Sequence, residues 1–315
     1  MASTTILTIV LLAVIQTAMC KNCSNSCYPS EFFPNIQGNL TKIIWAHGVN
    51  SLMELDKALA SVDVMMLEGD IVMGRHTVSN TTTDNIPIMA HPPATESDLS
   101  LEEFLNIILN NGTKGIKLDF KSNEAFNNSK PILRKFQPSV MCPIFLNADI
   151  LRGPINATAP VINATFVNEA SKVMPDSILS IGWTTRYGKE HNITEGRYNM
   201  KQLKKMIEIV TENHIKLPIT YPVRAGLATN DIDGMKALLK NTTDATLTIW
   251  SLEDDYVDVA KLSKLIKEVG FDKVYVDVPK DLRNQLNLSS ASTMTSAVMI
   301  NLIASLAFLV LPRML

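Results

Sequence analysis

Glycine-rich phosphate loops, basic stripes and paired cysteine motifs are all missing from this sequence, and each absence removes a class of protein. No Gly-x-Gly-x-x-Gly follows the first strand-like run, which argues against a dinucleotide-binding sheet. Lys and Arg total 29 against 31 Asp and Glu, a formal net charge of −2, and no basic patch offers itself to nucleic acid. The 4 cysteines do not form a thiolate metal site, because no second Cys or His pair completes one. Long apolar runs are also scarce. Neither apolar end of the chain reaches, uninterrupted, the ~20 residues of a membrane-spanning helix.

What the ends do carry points to the secretory pathway. Residues 6–15 form an apolar run of signal-peptide length, and Ala18-Met19-Cys20 fits cleavage after Cys20; an uncleaved anchor is the alternative. Residues 297–311 are apolar apart from Asn301 and Ser305, and they follow the small, polar run Ser289-Ser290-Ala291-Ser292-Thr293. That order matches a glycolipid (GPI) anchor signal, with a single span or a simple secreted form as rivals. The expected location is secreted, or the extracellular face of the plasma membrane through a C-terminal membrane anchor. Ten Asn-x-Ser/Thr triplets agree with it, at Asn22, Asn39, Asn80, Asn111, Asn127, Asn156, Asn163, Asn192, Asn241 and Asn287. Loss of Cys20 leaves Cys23, Cys27 and Cys142, of which one pair suits a disulfide; spacing does not say which. The chain thus divides into a signal at 1–20, an extension at 21–41, one large domain at 42–285 and a hydrophobic tail at 286–315.

The large domain alternates strand-like and helix-like runs. Strands are expected at 43–46, 64–67, 115–120, 143–148, 178–183, 215–220, 246–250 and 273–278. A short return at 86–90, demoted by Pro87, reads as a hairpin inserted after the second strand. Ser51-x-x-Glu54 and Ser100-x-x-Glu103 are capping-box patterns opening helices. The helix after the third strand is the weakest, polar and broken by Pro131. Continuous apolar strands joined by helical crossovers fit a parallel sheet buried on both faces. Eight such units predict an α/β fold, a (β/α)8 TIM barrel with a hairpin insertion after strand 2; an open doubly wound sheet is the alternative.

Active sites of such barrels lie at the C-terminal strand ends. There the sequence places His47, Glu68 and Asp70, His91 after the hairpin, and Lys117 and Asp119. Glu68/Asp70 and Lys117/Asp119 are i, i+2 pairs, so each pair shares one strand face. Three clustered carboxylates repel one another and call for a cation, and oxygen ligands select Mg²⁺ or Ca²⁺. Two histidines beside them suit proton transfer near neutral pH, and Lys117 can meet the same anion.

Several strand-end stretches resemble the menorin family: residues 45–51, 67–71, 87–93 and 115–120, with 146–151, 181–185 and 220–225. The resemblance spans residues 42–279 and extends to the glycerophosphodiester phosphodiesterases and spider-venom phospholipase D enzymes, which are (β/α)8 barrels. It implies His47 and His91 as the acid–base pair, Glu68, Asp70 and Asp119 as metal ligands, and Lys117 as a phosphate contact. The implied reaction is attack on phosphorus by a neighbouring substrate hydroxyl. Those enzymes read His-Arg-Gly where this chain has His47-Gly48-Val49, leaving Arg152 or Arg224 to replace the arginine. The menorin resemblance also implies extracellular work with neuronal adhesion receptors in dendrite patterning. Two functions follow: a metal-dependent phosphodiesterase acting on a phospholipid or other phosphodiester, or a non-catalytic module binding a cell-surface adhesion receptor.

Bland readings stand beside the sharp ones. Asn147, Asp149 and Arg224 either line the pocket or cap loops and form an ion pair. Trp183 and Trp250 either stack on a ligand or pack the barrel top. His76, His191 and His214 read as solvated. Glu253-Asp254-Asp255 reads as a helix start, and residues 184–198 as a lid or a glycosylated loop.

Overall fold

The computed structural model describes residues 28–78 and 85–288. The expected signal, the anchor, Cys23, Cys27, Asn22 and Asn80 lie outside the described residues. Eight parallel strands form the sheet path β1 (Trp45–Ala46), β2 (Met66–His76), β5 (Gly115–Phe120), β6 (Ile144–Arg152), β7 (Ile178–Thr184), β8 (Ile219–Arg224), β9 (Ala245–Trp250) and β10 (Val274–Asp277). The inserted hairpin is present too. β3 (Ile86–Met89) pairs antiparallel with β2, and β4 (Glu96–Ser97) adds to the far end of the same strand.

Helical crossovers separate the strands, and their ends follow local chemistry. Ser100 and Glu103 form the full reciprocal capping box, which satisfies two otherwise unpaired backbone donors. Helix Asn123–Phe136 runs straight through Pro131, contrary to the expected break. Pro131 is exposed, so the carbonyl that loses its donor can meet water, while Phe126 and Leu133 hold the opposite face in the core.

Two strands depart from expectation. β2 is 11 residues long because its outer half pairs with the hairpin instead of ending at residue 67. β8 begins four residues late, at Ile219 rather than 215. Its ladder to β7 covers only Ile219 and Thr220, stopping before Pro222, which has no N–H to give.

No ladder joins β1 to β10 among the described residues. Side chains close that seam. Arg283 donates to the carbonyls of Thr41, Ile43 and Val276, and His47 meets Asp277. Residues of the expected extension are part of the barrel as well. Phe33, Ile36 and Leu40 pack with Ile43, Met66, Phe145, Ile178 and Tyr275 across the N-terminal strand ends, forming a floor.

Candidate functional site

Side-chain alternation sorts the barrel interior into layers. Trp45, Phe145 and Tyr275 meet edge to face at 5.5–6.0 Å on the floor. Above them the interior turns polar. Lys117, Asn147, Ser180, Thr220 and Thr248 are all buried, although apolar residues usually fill a barrel of this kind. Glu68 stands opposite Lys117, and Asp70 opposite Asp119, so the acids rise in two steps towards the open end.

Oxygens of Glu68, Asp70 and Asp119 lie within 4.8 Å of one another. At that distance each pair of ionised carboxylates repels by about 3–4 kcal/mol in a medium of effective dielectric near 20. Fixed donors hold them together. Gly48, at φ +67°, presents its amide to Glu68 Oε2 at 2.8 Å. Asn50 clamps Asp70 from both sides: its Nδ2 donates to Oδ2 and its Oδ1 accepts from the Asp70 amide, each at 2.8 Å. Asn147 donates to Asp119 at 2.7 Å and is itself held by Ser180 at 2.5 Å. Gly69 sits between the two acids because a Cβ there would lie 2.5 Å from Met89 Cε and 2.9 Å from the Val49 carbonyl.

Lys121 completes the charge balance. Its Nζ is 2.7 Å from Asp70 and 2.6 Å from Asp119. Burial works against the Asp119 charge, but Lys121 and Lys117 outweigh it and hold that carboxyl below its usual range. Glu68 has no such ion pair with a lysine, and burial pushes its carboxyl up.

The two histidines are placed differently. His47 Nδ1 lies 3.4 Å from Glu68 and 3.2 Å from Asp277. The Glu68 charge lifts its pKa to about 9 against the cost of burial, with Asp277 helping. Both neighbours accept, so Nδ1 carries the proton, and Nε2 of this exposed residue has no partner among the described residues. His91 is exposed on the hairpin, where Ala90 N donates to the Asp70 carbonyl. Its Nδ1 donates to Pro92 O at 2.7 Å, which leaves Nε2 as the lone-pair nitrogen of the neutral ring.

The remaining expected residues divide. Lys117 is buried inside the barrel, its ammonium 5.9 Å from the Trp45 ring centre, so Lys121, not Lys117, is the lysine that touches the acids. Arg224 is committed elsewhere. It forms a two-point pair with Asp255 at 2.8 and 2.6 Å and lies over Trp250 at 5.1 Å. Asp255 is therefore a buried partner of Arg224 rather than part of a helix start, and the helix opens at Asp258. His76 is not solvated: its ring is buried, 3.0 Å from Glu103 and 3.1 Å from the Asp98 carbonyl. Trp183 packs in the core against Tyr198. The segment after β7 is tied down by the Tyr187 hydroxyl, 2.8 Å from both the Thr194 and Tyr256 carbonyls. Asn111, Asn127, Asn156, Asn163, Asn192, Asn241 and Asn287 are exposed, and Asn39 is half-buried.

Asp277, Asn50 and Lys121 are site residues that the spacing argument passes over. Asp277 had a signal, since it ends the last strand as His47 directly follows the first.

Residues 39–283 match the family model for the Menorin N-terminal domain. Human Protein FAM151B is 34% identical over 238 residues, covering 75% of this chain and 82% of that protein. Among solved structures, a glycerophosphodiester phosphodiesterase from Parabacteroides distasonis aligns with a TM-score of 0.45 and 14% identity. It covers 78% of this chain and 96% of that one, and at that score it says nothing of this chain's chemistry.

Proposed function

The chain belongs to the menorin family, and we propose that its barrel mouth is a metal-dependent phosphodiesterase-type site working outside the cell. One observation carries the reading. Three carboxylates, two of them buried and Asp119 partly so, converge within 4.8 Å beside a histidine whose Nε2 has no partner among the described residues. The donor set is all oxygen, which suits Mg²⁺ or Ca²⁺.

Glu68, Asp70 and Asp119 would hold the ion, with Gly48, Asn50 and Asn147 keeping their oxygens aimed. A divalent cation there supplies positive charge against the phosphate and its developing negative charge. Lys121, which touches Asp70 and Asp119, would reach the same anion once an ion took its place on the acids. His91 Nε2 takes the proton from a substrate hydroxyl neighbouring the phosphate. That oxygen bonds to phosphorus, the ester bond to the leaving alcohol breaks, and His47 gives the alcohol its proton. The product is a cyclic phosphate, which water opens only if it is admitted. Trp250 offers a half-buried ring for the apolar part of the alcohol. Exposed sequon asparagines support the secretory placement, and a membrane anchor would put phospholipid headgroups within reach.

The test is to purify the protein from a secretory host and supply glycerophosphodiesters and lysophospholipids with Mg²⁺ or Ca²⁺. A cation-dependent product that H47A and E68Q fail to make is expected. If no substrate gives a cation-dependent product, the reading is wrong. A second reading has its own observation: Lys121 already neutralises two of the three acids. On it the cluster is structural and the surface binds an adhesion receptor. Receptor binding unaffected by H47A and E68Q would favour that reading.

A further inference from the structure

One ionisable group at the mouth has no assigned task. Asp149 lies on β6, two residues beyond Asn147 on the same inward face. Asn147 stands level with Asp119, so Asp149 lies about 6–7 Å further towards the opening. It is partly buried, yet no described residue gives it a hydrogen bond or an ion pair, while Glu68, Asp70, Asp119 and Asp277 all have fixed partners. The neighbouring strand leaves space for it. At Gly182, which pairs with Asp149, a Cβ would come within 2.8 Å of Asp149 Oδ1 and 2.7 Å of Pro222 Cγ. Burial, and then the charge of Asp119, lift the Asp149 pKa to about 7, while Lys121 and Lys117 pull it down. The fold does not need such a group, because an unpaired carboxyl in a low-dielectric recess weakens it. Costly ionisable groups in clefts mark functional positions.

We propose that Asp149 contacts substrate, taking a hydrogen bond from a hydroxyl on the alcohol esterified to the phosphate, so that the site favours phosphodiesters whose alcohol carries a free hydroxyl. This rests on the phosphodiesterase reading of the same mouth. The geometry fits a diester seated on the three acids, because its alcohol arm must extend along the axis to the next layer. A hydroxyl suits the spot better than a quaternary ammonium. It can both give and accept a hydrogen bond, as a carboxyl with a pKa of about 7 can, and Lys121 and Lys117 already place positive charge nearby.

The experiment compares glyceryl methyl phosphate with dimethyl phosphate by calorimetry in Mg²⁺, using full-length H47A protein so that neither ligand turns over. The glyceryl diester should bind about tenfold tighter, the worth of one hydrogen bond to a charged or titrating group. Adding D149A should bring the ratio to within about twofold while leaving dimethyl phosphate unchanged. D149N, which keeps the shape and part of the hydrogen bonding, should fall between. A ratio that survives D149A overturns the role of Asp149 and leaves the phosphodiesterase reading standing. If neither diester binds, or binding survives E68Q, the phosphodiesterase reading fails and this inference falls with it.

Discussion

His47 and Asp277 meet at 3.2 Å across the gap between the first and last barrel strands, where no backbone ladder holds the sheet together. One contact therefore both orients a histidine and helps close the fold. Its charge has a calculable sign. The folded pKa of about 9 exceeds the ordinary 6.5, through Glu68 first and Asp277 second, so the charged ring stabilises fully below pH 6.5 and its contribution fades as pH rises through 9. Replacing Asp277 by Asn should lower the His47 pKa without returning it to 6.5, since Glu68 remains. NMR titration of the ring protons reads this directly. An unmoved pKa would show that Asp277 is not the partner.

Lys121 predicts an unusual response to cations. With Lys121→Met, Asp70 and Asp119 lose their ammonium, so the metal-free protein should unfold at lower temperature. The same variant should bind Ca²⁺ or Mg²⁺ more tightly, because no side chain competes for the acids. Thermal unfolding with and without cation tests both. In wild type, cation at 100 times Kd should add about 2.7 kcal/mol, and D119N should remove that gain.

Arg224→Ala should act on stability rather than on ligand affinity. Both partners of the Arg224–Asp255 pair are nearly inaccessible, at 6% and 1% exposure, so removing the arginine strands a buried carboxylate. A loss of about 3–5 kcal/mol is expected by denaturant unfolding, and the double variant Arg224→Met/Asp255→Leu should recover most of it. A stable Arg224→Ala protein with weakened phosphate binding would instead return Arg224 to the site.

Asp149→Asn should stabilise the protein at neutral pH. The folded pKa of about 7 lies above the ordinary 3.8, so ionisation is easier in the unfolded chain and stability falls as pH rises through that window. Asparagine removes that share of the slope, while His47 keeps its own. The loss of stability between pH 4 and pH 8 should be smaller in the variant than in wild type if this holds, and the same if it does not.

The alternation of strand residues was enough to place Glu68, Asp70 and Asp119 together, because a period of two fixes the face and the strand end fixes the height. The hairpin was legible from Pro87 and its flanking polar run. Partnerships across sequence were not. Arg224 looks like a phosphate ligand until Asp255, 31 residues away, is seen to consume it. Lys117 and Lys121 are equally charged in sequence, and only the interior layering separates the buried one from the one at the mouth. β8 slipped because Pro218 and Pro222 interrupt the apolar run that marks a strand. Helix Asn123–Phe136 survived its proline because the loss falls on the wet side.

The aromatic floor of Trp45, Phe145 and Tyr275 plugs the lower end of the barrel. Anything that Glu68, Asp70 and Asp119 hold would therefore come and go by one side only, past the loops that follow the strands.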